Sequence, residues 1–237
     1  SLSTTVGHAT AVYIDGGADN ILVEGFEIAN VWEGVVMRFG TSNVTTMNNY
    51  IHDTVDRAIW HLGSDFSETA HNFIVNPGVD GIDFDAFTES NIAYENVVIG
   101  AGRWAGFVEE GTQNSFFIRG LAIMADMGNP NTGFQLGWAD NGTSQTFVNN
   151  NPGIVTENNY FIENVVVERE EMPRAPPHSG ASGDYFAKEN AAGGQTYFWA
   201  NRGFGAGQSA TNFFMAEWLT TVPTSGGPGG TINGVQI

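Results

Sequence analysis

The stretch Gly25-Phe26-Glu27-Ile28 decides the fold, because its pattern of a turn residue, a large apolar residue, any residue and an aliphatic residue returns along the chain. The copies, of which the first is imperfect, are Asn49-Tyr50-Ile51-His52, Asn72-Phe73-Ile74-Val75, Asn96-Val97-Val98-Ile99 and Gly120-Leu121-Ala122-Ile123. Their first residues are 24, 23, 24 and 24 positions apart. A second column keeps spacings of 23, 24 and 24, at Gly40, Gly63, Phe87 and Gly111. Two registers with one period indicate an internal repeat.

The content of each repeat favours a right-handed parallel β-helix over a leucine-rich repeat of similar period. Leucine is scarce, and the segments between turns alternate as strands do, for example at 35–39 and 82–86. The 31 glycines suit many turns between short strands. The sequence therefore predicts an all-β solenoid of about 23–24 residues per coil.

We predict one domain over residues 1–237, with regular coils at about 10–167 and looser coils and a tail at 168–237. An insertion near 124–131 interrupts the period, and the Pro-rich stretch 169–183 is expected to fold over one face. Later strands are predicted at 133–137, 159–162, 196–200 and 212–215, and an extended end or cap at 221–234. Left-handed turn residues are predicted at Asn20, Asn43, Asn91 and Asn114.

The alternation of each strand predicts which side chains enter the core. The inward residues are predicted as Val35, Met37, Phe39, Ala58, Trp60, Leu62, Ile82, Phe84, Ala86, Gly106 and Val108. One outward column then contains Arg38, His61, Asp85 and Glu109. Its neighbour contains Val36, Ile59, Asp83 and Phe107.

Three carboxylates converge on this outward face. Asp83 and Asp85 share one face of a strand at about 6.5–7 Å, and Glu109 lies about 4.8 Å from Asp85 on the next rung. Like charges at such distances raise one another's pKa, which provides the acid and the ionised group that glycoside hydrolysis needs. Asp83 with Asp85 would fit inversion and Asp85 with Glu109 would fit retention, and backbone spacing does not choose between them.

Residues around the carboxylates are candidates for substrate binding. Arg38, His61 and Arg103 would contact hydroxyl groups or set a carboxylate's ionisation, and Trp104 and Phe107 would stack on sugar faces. A charge ladder with only a structural role is the alternative. No cofactor is predicted, but a Ca²⁺ ion bound by oxygen ligands also fits, with Asp80, Asp83, Asp85 and Glu109 as its ligands.

The charge of the chain limits its partners. With 26 acidic and 8 basic residues the net charge is −18, so nucleic acid and acidic membranes would be repelled. This negative charge also disfavours acidic polysaccharides and favours a neutral glycan. The sequence contains no cysteine and no apolar run that spans a bilayer, and a secreted or extracellular bacterial-type protein is expected. The oligomeric state is open, and the chain is expected to be processed or part of a larger protein.

The coil periodicity over about residues 10–167 resembles the pectate-lyase-like superfamily of right-handed β-helices, which includes polysaccharide lyases, polygalacturonase-like hydrolases, epimerases and phage tailspikes. Within it, the segment 79–85 is similar to the Asn-Thr-Asp-Gly segment and following acids of polygalacturonase-like hydrolases, and this resemblance implies Asp80 as an additional catalytic residue. The chain lacks the Gly-His-Gly and Arg-Ile-Lys motifs of those hydrolases. Lyases of the superfamily typically use Lys or Arg as the base, which points to Arg38, Arg57 or Arg103.

Three functions remain open from the sequence. The first is a glycoside hydrolase that cleaves a neutral or weakly charged polysaccharide with paired carboxylates. The second is a Ca²⁺-dependent polysaccharide lyase or epimerase that uses Arg38, Arg57 or His61 near an ion held by acids. The third is a non-catalytic glycan-binding adhesin or tailspike-like solenoid.

Overall fold

The predicted parallel β-helix is confirmed by the structure, a computed structural model that describes residues 9–124, 136–142, 145–168, 186–188, 195–204, 231–232 and 235–236. Three parallel sheets of seven strands form the sides of the solenoid. The predicted loop at 169–183, the strand at 212–215, the insertion beyond Met124 and the tail at 221–230 lie outside the described residues.

Each coil contributes one short strand to each sheet in turn. Sheet A contains β1 (Thr10–Ile14), β4 (Glu33–Met37), β7 (Ile59–Leu62), β10 (Ile82–Asp85), β13 (Trp104–Glu109), β16 (Leu136–Gly142) and β19 (Phe186–Lys188). Sheet B contains β2 (Asp19–Glu24), β5 (Ser42–Met47), β8 (Glu68–Ala70), β11 (Ile92–Tyr94), β14 (Phe116–Ile118), β17 (Asn159–Ile162) and β20 (Thr196–Trp199). Sheet C contains β3 (Glu27–Ala29), β6 (Tyr50–His52), β9 (Phe73–Val75), β12 (Val97–Ile99), β15 (Leu121–Met124), β18 (Val165–Glu168) and β21 (Arg202–Phe204).

Two small elements accompany the sheets. A short helix, α1 (Gln145–Asn150), lies between β16 and β17, and β22 (Thr231–Ile232) pairs antiparallel with β23 (Val235–Gln236). Within the described parts of the chain, no helix is long and apolar enough to cross a membrane.

The core is a stack of equivalent side chains from successive coils. In sheet A, Val35 lies in register with Ile59, which lies in register with Ile82, and all three are fully buried. Gly106 continues this column, and its missing side chain leaves room for a ring: a Cβ there would lie 2.4 Å from Trp138 Cε3. The predicted apolar columns are therefore present, with one shift of register.

The shift affects β7, the third strand of sheet A. Val36 pairs with Trp60 and Met37 with His61, so Trp60 faces outward and His61 faces the core, opposite to the prediction. The reason is the length of the turns. Ile51 follows its partner Ile28 by 23 residues, but Ile59 follows its partner Val35 by 24. The extra residue therefore lies in the turn between Ile51 and Ile59.

Several other predicted inward positions are also wrong. Phe39 lies beyond the end of β4 and is 44% exposed, because the chain has already turned there. Ala86 adopts a left-handed φ of 41° just after β10 and is only partly buried. Leu62 faces outward in register with Asp85. Inward alternation thus ends with each strand and does not continue into its turn.

The turns are built from left-handed residues, as predicted for Asn20, Asn43 and Asn114, with φ of 58°, 52° and 52°. The prediction for Asn91 is wrong, because the left-handed residue of that turn is Ser90, with φ of 58°. Asn91 is instead buried and its Oδ1 accepts a hydrogen bond of 2.6 Å from the amide of Ser67.

A ladder of buried asparagines closes the corner between sheets B and C. Asn72 Oδ1 accepts bonds from both the amide and the side chain of Asn49, at 3.1 and 3.0 Å. Asn72 Nδ2 donates to the carbonyl of Thr46 at 2.9 Å and to Asn96 Oδ1 at 3.0 Å. Each asparagine therefore satisfies polar groups of the coils on both sides.

Replacing Asn72 with Ala should lower the free energy of unfolding by at least about 3 kcal/mol. The change leaves two donors of Asn49 and the carbonyl of Thr46 buried without their partners, at about 1–3 kcal/mol each. Urea unfolding measures the loss. Asn48→Gly is the control, since Asn48 is exposed with φ of 55° and glycine tolerates that conformation. If both variants unfold at the same urea concentration, the ladder does not stabilise the fold.

Candidate functional site

The carboxylates predicted to converge do so on the outer face of sheet A. Asp83 and Asp85 lie on β10, and Glu109 ends the adjacent strand β13, where Asp83 pairs with Phe107. One oxygen atom from each of the three carboxylates lies within 4.8 Å of the other two. Asp83 is fully buried, Asp85 is 8% exposed and the Glu109 side chain is 13% exposed. We call these three residues the acid cluster.

Arg57 joins the acid cluster from the corner that precedes β7. Its Nε donates a 2.5 Å hydrogen bond to Asp83 Oδ2, and its Nη2 lies 3.8 Å from Glu109 Oε1. Its Nη1 donates to Asp56 at 3.2 Å. The guanidinium also lies 4.2 Å from the centre of the Trp60 ring. One cation thus faces several carboxylates while an aromatic ring covers it.

Trp60 is a site residue that the sequence-based prediction placed in the core. Its Nε1 donates to Asp85 Oδ2 at 3.2 Å, so one indole orients a carboxylate and covers Arg57. The amide of Val55 donates to the carbonyl of Val31, so the coil spacing just before β7 is 24 residues. With this spacing Trp60 aligns with Val36, which was predicted to face outward.

Asp80, predicted as a catalytic residue or a Ca²⁺ ligand, lies beside the acid cluster and is paired with an arginine. Its two oxygens bind the guanidinium of Arg103, with Oδ1 accepting from Nε at 2.9 Å and Oδ2 from Nη2. Oδ1 also accepts from the amide of Trp104 at 3.2 Å. Asp80 is fully buried, and its Oδ2 is 3.8 Å from Arg57 Nε. This pair fixes the corner beside the site and engages both oxygens of Asp80.

The aromatic rings predicted to stack on sugars are buried. Trp104 and Phe107 are 2% and 0% exposed, and their rings stack nearly parallel at 5.2 Å. The guanidinium of Arg103 lies 4.4 Å from the Phe107 ring. Their ring faces are therefore engaged by each other and by Arg103, and the rings support the arginine that holds Asp80.

His61 faces the core, which corrects its predicted place in the outward column. It is fully buried, with Nε2 2.8 Å from Thr69 Oγ1, Nδ1 3.1 Å from Ser64 Oγ and its ring edge-on to Phe84. Burial lowers the pKa of His61 to about 3. The imidazole is therefore a neutral hydrogen-bonding group of the core.

The ionisation of the acid cluster is strongly perturbed. Burial, and then the charge of Asp85, raises the pKa of Glu109 to about 7. Burial and then Glu109 raise the pKa of Asp83 well above its ordinary value, although Arg57 opposes this shift. Burial also raises the pKa of Asp85, again against Arg57. Arg57 and Arg103 do not offset the burial and mutual repulsion of the three carboxylates, so Glu109, with a pKa of about 7, is partly protonated near neutral pH.

One atom of the cluster has no partner. Asp83 Oδ1 is buried and accepts no hydrogen bond from any described residue. An unsatisfied buried acceptor costs about 1–3 kcal/mol, and more when it is charged. The acid cluster can therefore gain stability either by sharing protons or by receiving a cation.

Comparisons with known proteins add information on the fold. No protein-family model matches the sequence, and no curated protein matches it either. The crystal structure of an alginate lyase from Paenibacillus sp. str. FPU-7 is similar, with a TM-score of 0.50 and 17% identity, over 83% of this chain and 77% of that chain. At this identity the likeness concerns the fold alone: this chain has a parallel β-helix architecture that is also found in a polysaccharide lyase.

Proposed function

We propose that the protein is a polysaccharide lyase that cleaves a uronate-containing chain on the outer face of sheet A, with a divalent cation bound by the acid cluster. The observation that carries this proposal is the buried, unpartnered Asp83 Oδ1 beside two further carboxylates. The structural likeness to an alginate lyase supports the same reaction class. An extracellular location, where such polymers are degraded, is part of the proposal.

The acid cluster fits a hard cation such as Ca²⁺, which accepts six to eight oxygen ligands from carboxylates, carbonyls and water. The three carboxylates supply oxygens within 4.8 Å of one another. Asp80, which the sequence suggested as a fourth ligand, is committed to Arg103. The ligand set is therefore Asp83, Asp85 and Glu109, and the remaining positions would be open to water and substrate.

A bound cation also bears on the choice of substrate. The net charge of −18 disfavours an acidic polymer, and the acid cluster adds to this repulsion locally. A divalent cation there would neutralise the substrate carboxylate and make the adjacent C–H bond more acidic. Repulsion from the distant surface acids is weakened by salt, since it is screened beyond about 8–10 Å.

In β-elimination a base removes the proton on the carbon next to the uronate carboxylate. The electrons of that C–H bond form a C=C bond, and the glycosidic C–O bond breaks as its oxygen takes up a proton from the protonated base or from water. Arg57 is the basic residue in contact with the acid cluster, and its Nη2 lies at Glu109. His61 is in the core, Arg38 is about two rungs away and Arg103 is paired with Asp80. These positions support Arg57 among the four predicted bases.

Arg57 needs a changed environment to accept a proton. Burial alone would lower its pKa, but the charges of Asp83 and Asp80 and the hydrogen bond to Asp83 outweigh burial and raise it. Neutralising the acid cluster would remove the raising effect of Asp83 on the pKa of Arg57, while the lowering by burial and the raising effects of Asp80 and Asp56 would remain. Asp83 therefore belongs to the proposed cation site and also accepts the hydrogen bond of the proposed base.

Turnover should depend on the cation and should form an unsaturated product. We expect alginate, pectate or another polyuronate to give ultraviolet absorption from a conjugated C=C bond, and a chelator to abolish it until Ca²⁺ is restored. Asp83→Asn should weaken Ca²⁺ binding in isothermal titration. Glu163→Gln is the matched control, because Glu163 is exposed and lies in the turn between β17 and β18. Undiminished formation of unsaturated product in chelator would contradict the cation site.

Hydrolysis is a second candidate, favoured by the pKa of about 7 for Glu109. A carboxyl group that retains its proton near neutral pH can protonate a leaving oxygen, while a nearby carboxylate attacks the sugar carbon. Oxygens within 4.8 Å fit the closer spacing of retaining enzymes better than the wider spacing of inverting ones. New reducing ends without ultraviolet absorption would select this reaction. Binding without either product would select a non-catalytic glycan-binding protein.

A further inference from the structure

Arg38 lies on the same outer face as the acid cluster but outside it. It follows β4, and in the register of sheet A its outward neighbours are Leu62 and then Asp85. Two rungs of about 4.8 Å separate Arg38 from Asp85, so Arg38 lies about 10 Å from the acid cluster along the solenoid axis.

The guanidinium of Arg38 is held in place by two aromatic residues. Its Nη1 donates a 2.9 Å hydrogen bond to the hydroxyl of Tyr13, and its Cζ lies 5.9 Å from the ring centres of both Tyr13 and Phe39. Tyr13 and Phe39 are 50% and 44% exposed, and Arg38 itself is partly exposed. The cation is therefore ordered and accessible.

Arg38 differs from the other arginines of this face in its partners. Arg57 and Arg103 bind carboxylates of the site, and Arg119, on another part of the surface, forms an ion pair of 3.0 Å with Glu95. Among the described residues, no carboxylate forms an ion pair with Arg38. A guanidinium has five N–H donors in a planar fork that suits a carboxylate, and the bond to Tyr13 uses one of them.

A row of aromatic side chains, two of them exposed and one partly buried, begins beside Arg38 and extends past the rung of Asp85. The ring centre of Phe39 is 6.2 Å from that of Phe87, which is 4.9 Å from that of Phe147. Phe39 and Phe87 are 44% and 37% exposed. Phe87 follows Asp85 by two residues, so the row borders the outward column and runs along the solenoid axis.

We infer that Arg38 binds the carboxylate of a uronate unit of the polysaccharide, at a subsite about two rungs from the acid cluster, with Tyr13 and the aromatic row at its border. The polymer would then lie along the solenoid axis. This inference rests on the proposed function for the identity of the polymer, but it concerns recognition and needs neither the cation nor turnover.

The test is isothermal titration of the full chain with oligouronates of increasing length, in chelator, where the proposed elimination does not proceed. Arg38→Gln should weaken the binding of the longer oligouronates about tenfold, which is about 1.4 kcal/mol. Arg38→Lys should retain part of the affinity, because it keeps the charge but loses the fork. Carboxyl-reduced oligosaccharides should bind the wild type and Arg38→Gln equally.

The control is Arg119→Gln, which removes an exposed arginine elsewhere and should leave the affinity unchanged. Thermal unfolding of each variant checks that it is folded. Equal oligouronate affinity in the wild type and Arg38→Gln would overturn the subsite. If affinity depends on Arg38 but no unsaturated product forms under any condition, the subsite stands and the lyase proposal fails. If unsaturated product forms and Arg38→Gln binds oligouronates as the wild type does, the lyase proposal stands and the subsite fails.

Discussion

Replacing Glu109 with Gln should reduce turnover by at least about a hundredfold, and by up to about ten-thousandfold if Glu109 acts as a general acid. In the cation-dependent reaction the change removes one of three anionic ligands, and in hydrolysis it removes the acidic proton. The side chain keeps its size, so the fold should be retained. Steady-state rates with polyuronate, measured by ultraviolet absorption and by reducing ends, give the result. Glu163→Gln should behave as the wild type.

The same substitution should not destabilise the metal-free protein. The pKa of Glu109 is about 7 in the folded chain against an ordinary 4.5, so folded protein retains a proton that unfolded protein releases as pH rises from 4.5 to 7. This difference costs the wild type up to about 3 kcal/mol above pH 7. Glu109→Gln carries no charge at this position, so it should unfold at a higher temperature than the wild type at pH 8 in chelator. A variant that loses both turnover and stability would point to a structural role for Glu109.

The stability of the wild type should fall steeply in acid because of His61. Its pKa is about 3 in the folded chain against an ordinary 6.5, so below pH 6.5 the unfolded chain takes up a proton that the folded core excludes. The contribution is fully present above pH 6.5 and is lost as the pH falls towards 3, with a total of about 5 kcal/mol. Urea unfolding of the wild type and His61→Gln between pH 3 and 7 isolates this effect, because the other groups are common to both.

Thr69→Val provides the matched control for His61. It removes the hydroxyl that lies 2.8 Å from Nε2 and should lower stability at every pH, but the histidine remains and so should its pH dependence. Curves for the wild type and His61→Gln that run parallel from pH 3 to 6.5 would show that the folded core accepts the proton.

The repeat made the architecture predictable, because each coil needs the same buried apolar and hydrogen-bonding residues at the same positions. The buried ladder of Asn49, Asn72 and Asn96 appears in the sequence as a residue at a spacing of 23 to 24. What the repeat did not predict was the division of each coil between strand and turn. Gly40 and Gly63 are 23 residues apart, while Val35 and Ile59 are 24 apart, and this difference reversed Trp60 and His61.

The acid cluster was predictable because β10 and β13 follow the regular alternation, with Asp83 opposite Phe107. The role of Arg57 was not, because it lies at a corner where alternation gives no direction for a side chain. The burial of Trp104 and Phe107 was missed for a related reason, since alternation gives the face of a sheet but not what covers that face.

The site takes its groups from three consecutive coils: Arg57 and Trp60 from one, Asp83 and Asp85 from the next and Glu109 from the third. The turns between these coils absorb single residues, since Ile59 and Ile82 are 23 positions apart and Ile82 and Gly106 are 24 apart in one inward column. Deleting one residue within β10 or β13 would instead reverse the side chains beyond it and turn an acid towards the core. Duplicating or removing a whole coil outside residues 57–109 would leave these contacts intact. The site should therefore tolerate gain or loss of entire coils during evolution but not single-residue insertions or deletions within β10 or β13.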